Sequence, residues 1–211
     1  GGIPASAPSS LPDFTKWGEV ERKPMSGIRR KTAEHLSHAW NTIPHVTQFD
    51  KADITTLETV RKNYRAEVEK AGGNLTVTAI ACKVVASALK VFPQFNASVD
   101  AAGEAIVYKK YVNVGIAVDT ENGLLVPVVK NADQKNLTQI SVDIQALADK
   151  AKARKLSLDD MSGGSMSISN LGGIGGTAFT PIINAPEVAI LGVSKSQTKP
   201  VWDGKAFQPR L

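Results

Sequence analysis

The sequence is poor in cysteine, in aromatic residues and in long apolar runs, and each shortage excludes a class of protein. A single cysteine, Cys82, stands among 211 residues, which excludes an internal disulfide framework and a multi-cysteine zinc site. No apolar run reaches the roughly 18 residues that a membrane-spanning helix needs, so no membrane partner is predicted. The first residues have neither a basic start nor an apolar stretch, and we expect no secretion signal. A reducing, intracellular compartment fits this composition.

Positive charge is present in mild excess and is scattered along the chain. Lys and Arg number 25 against 20 Asp and Glu, a formal net charge of +5. A nucleic-acid-binding protein usually gathers its basic residues on one stripe, whereas the longest basic clusters here are Arg29-Arg30-Lys31 and Lys109-Lys110. We therefore predict no nucleic-acid partner and favour a small polyanionic ligand.

The chain divides into a short linker and one domain. Residues 1–12 contain two Gly, three Pro and three Ser, the composition of a flexible linker end. No similar segment and no internal repeat follow, so residues 13–211 are predicted to form a single domain. The last predicted strand is still running at Leu211, which leads us to expect that the domain lacks its C-terminal segment.

Apolar spacing and capping residues predict four long helices with strands between them. The predicted helices cover residues 28–40, 55–71, 77–92 and a stretch that begins after Asn136. The predicted strands are residues 45–54, 111–120, 124–129, 164–169 and 188–193, with a tight turn at Asn122-Gly123 and a last hairpin at Asp203-Gly204. Pro127 indicates an edge strand or a bulge. This mixture predicts an α/β fold with a mixed sheet.

A glycine-rich run at residues 169–176 invites comparison with phosphate-binding loops. A dinucleotide fingerprint requires a helix directly after the glycines, and residues 177–181, Thr-Ala-Phe-Thr-Pro, form helices poorly. No Gly-Lys-Ser/Thr motif occurs, which excludes a Walker loop. A loop at the exit of a strand, where the backbone approaches a neighbour closely, is the favoured interpretation.

Three serines alternate along the strand before this run. Ser165, Ser167 and Ser169 share one face of that strand, with Met166 and Ile168 on the other. A buried hydroxyl without a partner costs roughly 1–3 kcal/mol, so a core-facing strand rarely carries three of them. The serine face is therefore either solvated or part of a polar site, and the pattern leaves both open.

The remaining chemistry-bearing residues form no complete catalytic set. His35 and His38 have a spacing that could hold a metal, but no further ligand completes a site, and surface histidines are favoured. His45 is predicted to pack or to line a pocket. Cys82 lies on an apolar helix face and is predicted to be a core thiol. Arg61 stands at the rim of the core, where it is either solvated or bound to phosphate.

Several motifs together resemble the dihydrolipoamide acetyltransferase core of pyruvate dehydrogenase complexes. They run in family order from Phe14 to Leu211 and so cover nearly the whole chain. The motifs are residues 44–50 (PHVTQFD), 52–55 (ADIT), 114–120 (VGIAVDT), 123–128 (GLLVPV), 168–172 (ISNLG), 184–194 (NAPEVAILGVS) and 200–205 (PVWDGK).

The resemblance implies a fold, an activity and partners. The expected fold is the mixed-sheet, two-layer fold of the chloramphenicol acetyltransferase type, which forms homotrimers with active sites between subunits. The expected reaction moves an acetyl group between dihydrolipoamide and coenzyme A. The expected partners are lipoyl domains, the pyruvate decarboxylase and dihydrolipoamide dehydrogenase components, and a larger cubic or dodecahedral core. The compartment would be the bacterial cytosol or the mitochondrial matrix.

The resemblance also assigns site residues. Ser169 matches the hydroxyl that donates to the oxyanion of the tetrahedral intermediate, and Arg61 matches an arginine that contacts a coenzyme A phosphate. Five further residues match blocks that line the coenzyme channel: Ser98, Asp119, Asn170, Gly173 and Ser194.

One part of the family pattern is missing. The family's general base is a histidine in a His-x-x-x-Asp-Gly block, and none of the three histidines here is followed by Asp at the fourth position. We therefore expect these 211 residues to be inactive alone. The alternative is a non-catalytic structural scaffold of the same family. An antibiotic acetyltransferase is disfavoured by the linker-like start.

Overall fold

The computed structural model describes residues 11–121 and 123–211, which fold into helices and short strands. The predicted linker up to residue 10, and Asn122 of the predicted turn, lie outside this part. Its α-helices are α1 Gly27–Thr42, α2 Thr55–Lys70, α3 Val77–Val91 and α4 Leu137–Lys152. Its strands are β1 Ala97–Asp100, β2 Ala105–Tyr108, β3 Val114–Ile116, β4 Val118–Thr120, β5 Gly123–Leu125, β6 Val128–Val129, β7 Met166–Asn170, β8 Ile190–Val193, β9 Lys199–Trp202 and β10 Phe207–Arg210.

Helices α3 and α4 begin where Thr76 and Asn136 predict, and Ser26 caps α1 in the same way. Ser26, Thr76 and Asn136 each accept a hydrogen bond from a backbone N–H of the first turn of α1, α3 and α4. At α4 the cap is reciprocal, because the Gln139 side chain accepts from the backbone N–H of Asn136 at 2.9 Å. These local bonds satisfy N–H groups that have no partner inside the helix, which is why the sequence located these boundaries well.

The central sheet has four strands in the order β6-β3-β7-β8. Strand β7 pairs in parallel with both β3 and β8, whereas β6 pairs antiparallel with β3. The predicted α/β fold with a mixed sheet is therefore confirmed. Pro127 directly precedes β6 at the edge of this sheet, as its missing N–H requires. Three separate hairpins, β1–β2, β4–β5 and β9–β10, complete the described strands.

Helices α3 and α4 cover one face of the central sheet. The core between the two layers contains Ile168 from β7, Val114 and Ile116 from β3, and Ile140 from α4. A smaller cluster of Val68, Leu75 and Ile80 joins α2 to this layer. None of the described helices is both long and apolar enough to cross a bilayer.

The prediction of a strand at residues 45–54 was wrong. The segment has no regular secondary structure, no strand of the described residues pairs with it, and Val46 is 93% exposed. A strand requires a neighbouring backbone to receive its hydrogen bonds, and alternation of residue types supplies no such partner.

The prediction of one continuous strand at residues 111–120 was also wrong. The chain divides at Ala117 into β3, which belongs to the central sheet, and β4, which pairs only with β5. The Ala117 N–H still donates to the carbonyl of Ile168, at 2.9 Å. The apolar alternation continues through both strands, so nothing in it marks where the pairing partner changes.

Candidate active site at the end of strand β7

Ser165, which directly precedes β7, and the two serines of β7 have different environments. Ser165 is fully buried, and its Oγ accepts from the backbone N–H of Asn113 at 3.1 Å. Ser167 is also buried, and its Oγ donates to Glu187 Oε1 at 2.9 Å. Ser169 is half-buried, and its hydroxyl makes no hydrogen bond with any described residue. The serine face is thus an ordered polar interior that ends in one free hydroxyl.

Glu187 is the charged group at the centre of this polar face. It is 3% exposed, and its Oε1 also accepts from Asn184 Nδ2 at 3.3 Å. Its Oε2 is buried and has no hydrogen-bond partner among the described residues. Burial raises the pKa of the Glu187 carboxyl, and it lowers the pKa of the nearby Lys109 ammonium.

Two glycines leave room for the Ser167–Glu187 pair. A Cβ at Gly115 would lie 2.6 Å from Ser167 Oγ, and a Cβ at Gly164 would lie 2.6 Å from Glu187 Oε1. Neither distance is compatible with an ordinary side chain, so glycine at these positions is required by the pair. Glu187 was not among the site residues predicted from the sequence. The available signal was an acidic residue directly before the apolar run of residues 188–191, which leads into β8.

A cavity of about 290 Å³ opens where β3 and β7 end. It is lined by Thr76, Thr78, Ile116, Ala117, Ile144, Ile168, Asn170 and Gly173. Asn170 spans its mouth, because Nδ2 donates to Thr78 Oγ1 at 2.8 Å and Oδ1 accepts from the Gly172 N–H at 2.8 Å. The N-terminus of α3 lies at this cavity and contributes the positive end of the helix dipole, which favours an anionic group. Thr76 and Thr78 were missed by the sequence analysis.

Arg61 lies near this cavity but is already paired. Its Nε and Nη2 donate to both carboxylate oxygens of Glu58, at 2.7 and 2.8 Å, and Nη1 donates to the Leu75 carbonyl at 3.2 Å. Leu75 directly precedes Thr76, so the guanidinium is fixed beside the start of α3. The hydrogen bonds to Glu58 raise the pKa of Arg61 and lower that of Glu58.

The other predicted channel residues lie on or directly after three different strands, β1, β4 and β8, of which only β8 belongs to the central sheet among the described residues. Ser194 follows β8, and its carbonyl lies 3.3 Å from where a Cβ of Gly172 would stand. Asp119 is exposed on β4 opposite Leu124, and the turn beyond it is closed instead by Thr120, whose hydroxyl donates to the Gly123 carbonyl at 2.6 Å. Ser98 donates to the Pro186 carbonyl at 2.6 Å, away from the cavity. Of the predicted site residues, the structure joins Asn170 and Gly173 in the cavity lining and leaves the others outside it: Arg61, Ser98, Asp119, Ser169 and Ser194.

Comparison with known proteins shows the family of the chain. Residues 18–211 match the model of the 2-oxoacid dehydrogenases acyltransferase family (catalytic domain). The chain belongs to this acyltransferase family. The acetyltransferase component of the pyruvate dehydrogenase complex of Azotobacter vinelandii is 55% identical to the chain over 199 residues, which cover 94% of the chain and 31% of the relative. The corresponding component of Pseudomonas aeruginosa is 52% identical over 216 residues, 100% of the chain and 40% of the relative. The acyltransferase domain described here therefore spans about a third of the length of these relatives.

Solved structures agree with the fold of this acyltransferase domain. The dihydrolipoamide acetyltransferase of A. vinelandii superposes with a TM-score of 0.93 at 53% identity, covering 97% of this chain and 84% of that one. That structure served to investigate the role of one serine, one histidine and one asparagine in the catalytic mechanism. The cubic core of a pyruvate dehydrogenase multienzyme complex matches with the same TM-score, 0.93.

The histidines and the cysteine of this acyltransferase domain lie outside the cavity lining. His45 Nδ1 donates to the Ile43 carbonyl at 2.8 Å, and Nε2 accepts from the Ile183 N–H at 3.0 Å. His35 and His38 are exposed on α1. Burial raises the pKa of the Cys82 thiol to about 12, as suits a core thiol. Among the described residues no group of three or more His, Cys, Asp or Glu could hold a metal ion.

Proposed function

We propose that this acyltransferase domain transfers an acetyl group between dihydrolipoamide and coenzyme A in the core of a pyruvate dehydrogenase complex. The observation that carries the proposal is the free hydroxyl of Ser169, which ends a row of buried, bonded serines near the end of β7, on the face opposite to Ile168 and outside the cavity lining. The 55% identity with the A. vinelandii acetyltransferase component supports the choice of acyl chemistry.

Ser169 fits the role of an oxyanion donor. The general base takes the thiol proton of coenzyme A as its sulfur attacks the carbonyl carbon of the acetyl thioester, so that a C–S bond forms and the carbonyl oxygen becomes an oxyanion. The Ser169 O–H donates to that oxygen. Collapse of the intermediate breaks the bond to the lipoyl sulfur, which takes up the proton that the base removed from coenzyme A. A donor placed where charge develops typically contributes a factor of about 10²–10³ in kcat.

The cavity fits one arm of coenzyme A. Gly173 and the N-terminus of α3 present backbone N–H groups, which suits an anionic or amide-bearing ligand, and the Asn170 side chain, already bonded to Thr78 and to the Gly172 N–H, borders the cavity. Arg61 stands beside this helix start, and it can reach a phosphate only by sharing or leaving the carboxylate of Glu58. Asp119, Ser194 and Ser98 stay assigned to the channel as predictions from the family resemblance.

The general base is proposed to lie outside these 211 residues. Both ring nitrogens of His45 are engaged, so this imidazole has no lone pair left for a thiol proton. His35 and His38 are exposed on α1, outside the cavity lining. A histidine of the family's His-x-x-x-Asp-Gly block is the proposed base, and its absence here makes the isolated domain inactive.

Assembly into a homotrimer, and then into a cubic or dodecahedral core, is part of the same proposal. It is supported by apolar side chains that lie exposed on two hairpins: Val99, Ile106, Val107, Tyr108, Val201, Trp202 and Phe207. Lipoyl domains and the decarboxylase and dehydrogenase components are the proposed partners. A bacterial cytosol is the proposed compartment, in keeping with the bacterial sources of the two relatives.

The test compares the natural gene product that contains this chain with the 211-residue chain alone. Both are assayed for acetyl transfer from acetyl-CoA to dihydrolipoamide, with succinyl-CoA and isobutyryl-CoA as competing donors. We expect the natural product to turn over and to prefer acetyl, and the isolated chain to be inactive. Turnover by the isolated chain would contradict the proposal that the general base lies outside it. Inactivity of the natural product would contradict the proposed acetyltransferase activity and favour the alternative of a non-catalytic structural scaffold.

A further inference from the structure

The segment of residues 183–187, here called the anchor segment, connects four parts of the chain immediately before strand β8. Two of its bonds are made by the backbone and two by side chains. The partners are His45 (to the Ile183 N–H, 3.0 Å), His35 (to Asn184 Oδ1, 3.0 Å), Ser98 (to the Pro186 carbonyl, 2.6 Å) and Ser167 (to Glu187 Oε1, 2.9 Å). Only the last of these reaches the strand that carries Ser169.

The Glu187–Ser167 bond ties the anchor segment to the middle of β7. Ser167 and Ser169 stand on the same face of β7, about 7 Å apart along the strand. The anchor segment continues into β8, where Ile190 pairs with Ser167 and Gly192 with Ser169. The Glu187–Ser167 bond therefore links the segment that leads into β8 to β7, two residues before Ser169.

Ser169 depends on β7 for its position. Its hydroxyl has no hydrogen-bond partner among the described residues, so the backbone of β7 and the side-chain rotamer alone determine where the O–H points. An oxyanion donor must lie within about 3 Å of the developing charge, and misplacement by about 1 Å can cost a factor of 10² in rate. A contact that holds the backbone of β7 in place therefore also holds the Ser169 hydroxyl in place.

Stability alone does not account for an acid at position 187. A carboxyl that is 3% exposed with one oxygen unpartnered loses hydration that its two hydrogen bonds replace only in part. The pair also requires glycine at positions 115 and 164, which removes side chains that could have filled the space. Apolar residues would pack this region without any of these requirements.

We propose that Glu187 is a positioning residue, which acts through Ser167 to hold β7 so that the Ser169 hydroxyl lies where the oxyanion forms. The proposal rests on the role proposed above for Ser169. It assigns Glu187 no contact with either substrate. Its effect should therefore be felt in the rate of the chemical step, and only while Ser169 carries a hydroxyl.

The experiment is a double-mutant cycle in the full-length natural protein, with kcat and KM measured for acetyl-CoA and dihydrolipoamide. Glu187→Ala should lower kcat about 10- to 100-fold and change both KM values by less than about twofold. Glu187→Gln keeps an oxygen that accepts from Ser167 and should recover most of kcat. In the Ser169→Ala background, Glu187→Ala should lower the residual kcat by less than about twofold.

The controls separate positioning from general damage. Glu69→Ala removes an exposed acid that pairs with Arg65 on α2 and should leave kcat unchanged. Where Glu187→Ala fails to assemble, Ser167→Ala replaces it in the same cycle, because it removes only the hydroxyl that joins Glu187 to β7.

Two results overturn the proposal: an equal loss from Glu187→Ala with and without the Ser169 hydroxyl, and a loss carried by KM rather than kcat. A different result concerns the proposed function itself. If Ser169→Ala alone keeps full kcat, or the unsubstituted protein has no acetyl transfer activity, the role of Ser169 fails before that of Glu187 is reached.

Discussion

On its helix side, strand β7 places Met166 and Ile168 against α3 and α4, whereas its other side carries Ser165, Ser167 and Ser169. The first face is held by apolar burial, which is strong and largely indifferent to direction. The second face is held by hydrogen bonds to Asn113 N–H and Glu187, which fix direction. A strand with this division is anchored by one face and can present a single hydroxyl accurately with the other.

The largest effect is expected on the apolar face. Ile168→Ala removes a fully buried side chain from the centre of the core and should lower the free energy of unfolding by about 2–5 kcal/mol. Ile174→Ala is the matched control, since Ile174 is 79% exposed in the glycine-rich loop, and it should cost less than about 0.5 kcal/mol. Urea unfolding followed by circular dichroism measures both. Equal losses of unfolding free energy in the two variants would contradict the conclusion that apolar burial on the helix side of β7 holds this strand.

The polar face should respond in rate rather than in stability. Ser169→Ala in the full-length natural protein should lower kcat about 10²- to 10³-fold, because an oxyanion donor is lost, and should leave the unfolding midpoint almost unchanged. Ser87→Ala, at an exposed serine of α3, should change neither quantity. A large loss of stability in Ser169→Ala would place this serine among the structural ones.

A smaller and pH-dependent effect is expected at Glu187. Burial raises its pKa in the folded protein above the ordinary 4.5, so the folded state binds this proton more tightly than the unfolded state does. The stability that this proton contributes is present below pH 4.5 and is lost as pH rises through the raised value. Glu187→Gln removes this loss. Its stability relative to the unsubstituted protein should therefore increase with pH in urea unfolding between about pH 4 and 8. A difference that is constant or shrinks with pH would contradict the shift.

The smallest chemical reactivity is expected at Cys82, a buried thiol of α3 in the apolar core. With the thiol pKa raised to about 12 by burial, almost no thiolate exists at pH 8, and the native protein should resist iodoacetamide. The same protein in urea should be alkylated readily. Mass spectrometry after timed labelling compares the two states, and equal labelling rates would show that the α3 side of the core is open.

Much of the fold could be predicted because its determinants are local. Thr76 and Asn136 cap helices through bonds that span three residues, and Pro127 marks an edge through its missing N–H. The predictions failed where strand pairing depends on a partner that is distant in sequence. Residues 45–54 alternate like a strand and find no strand partner among the described residues, and the pattern of 111–120 runs unbroken across the change of partner at Ala117.

The candidate site divides in the same way. The sequence by itself determined that three hydroxyls share one face of β7, and its family motifs selected Ser169 among them. Only the tertiary structure decided that Ser165 and Ser167 are buried and bonded, that Glu187 lies beneath the second of them, and that Arg61 is paired with Glu58. The alternation of a strand follows from backbone geometry within a few residues. Which hydroxyl stays free depends on donors and acceptors that arrive from 20 to 52 residues away and meet only in the folded chain.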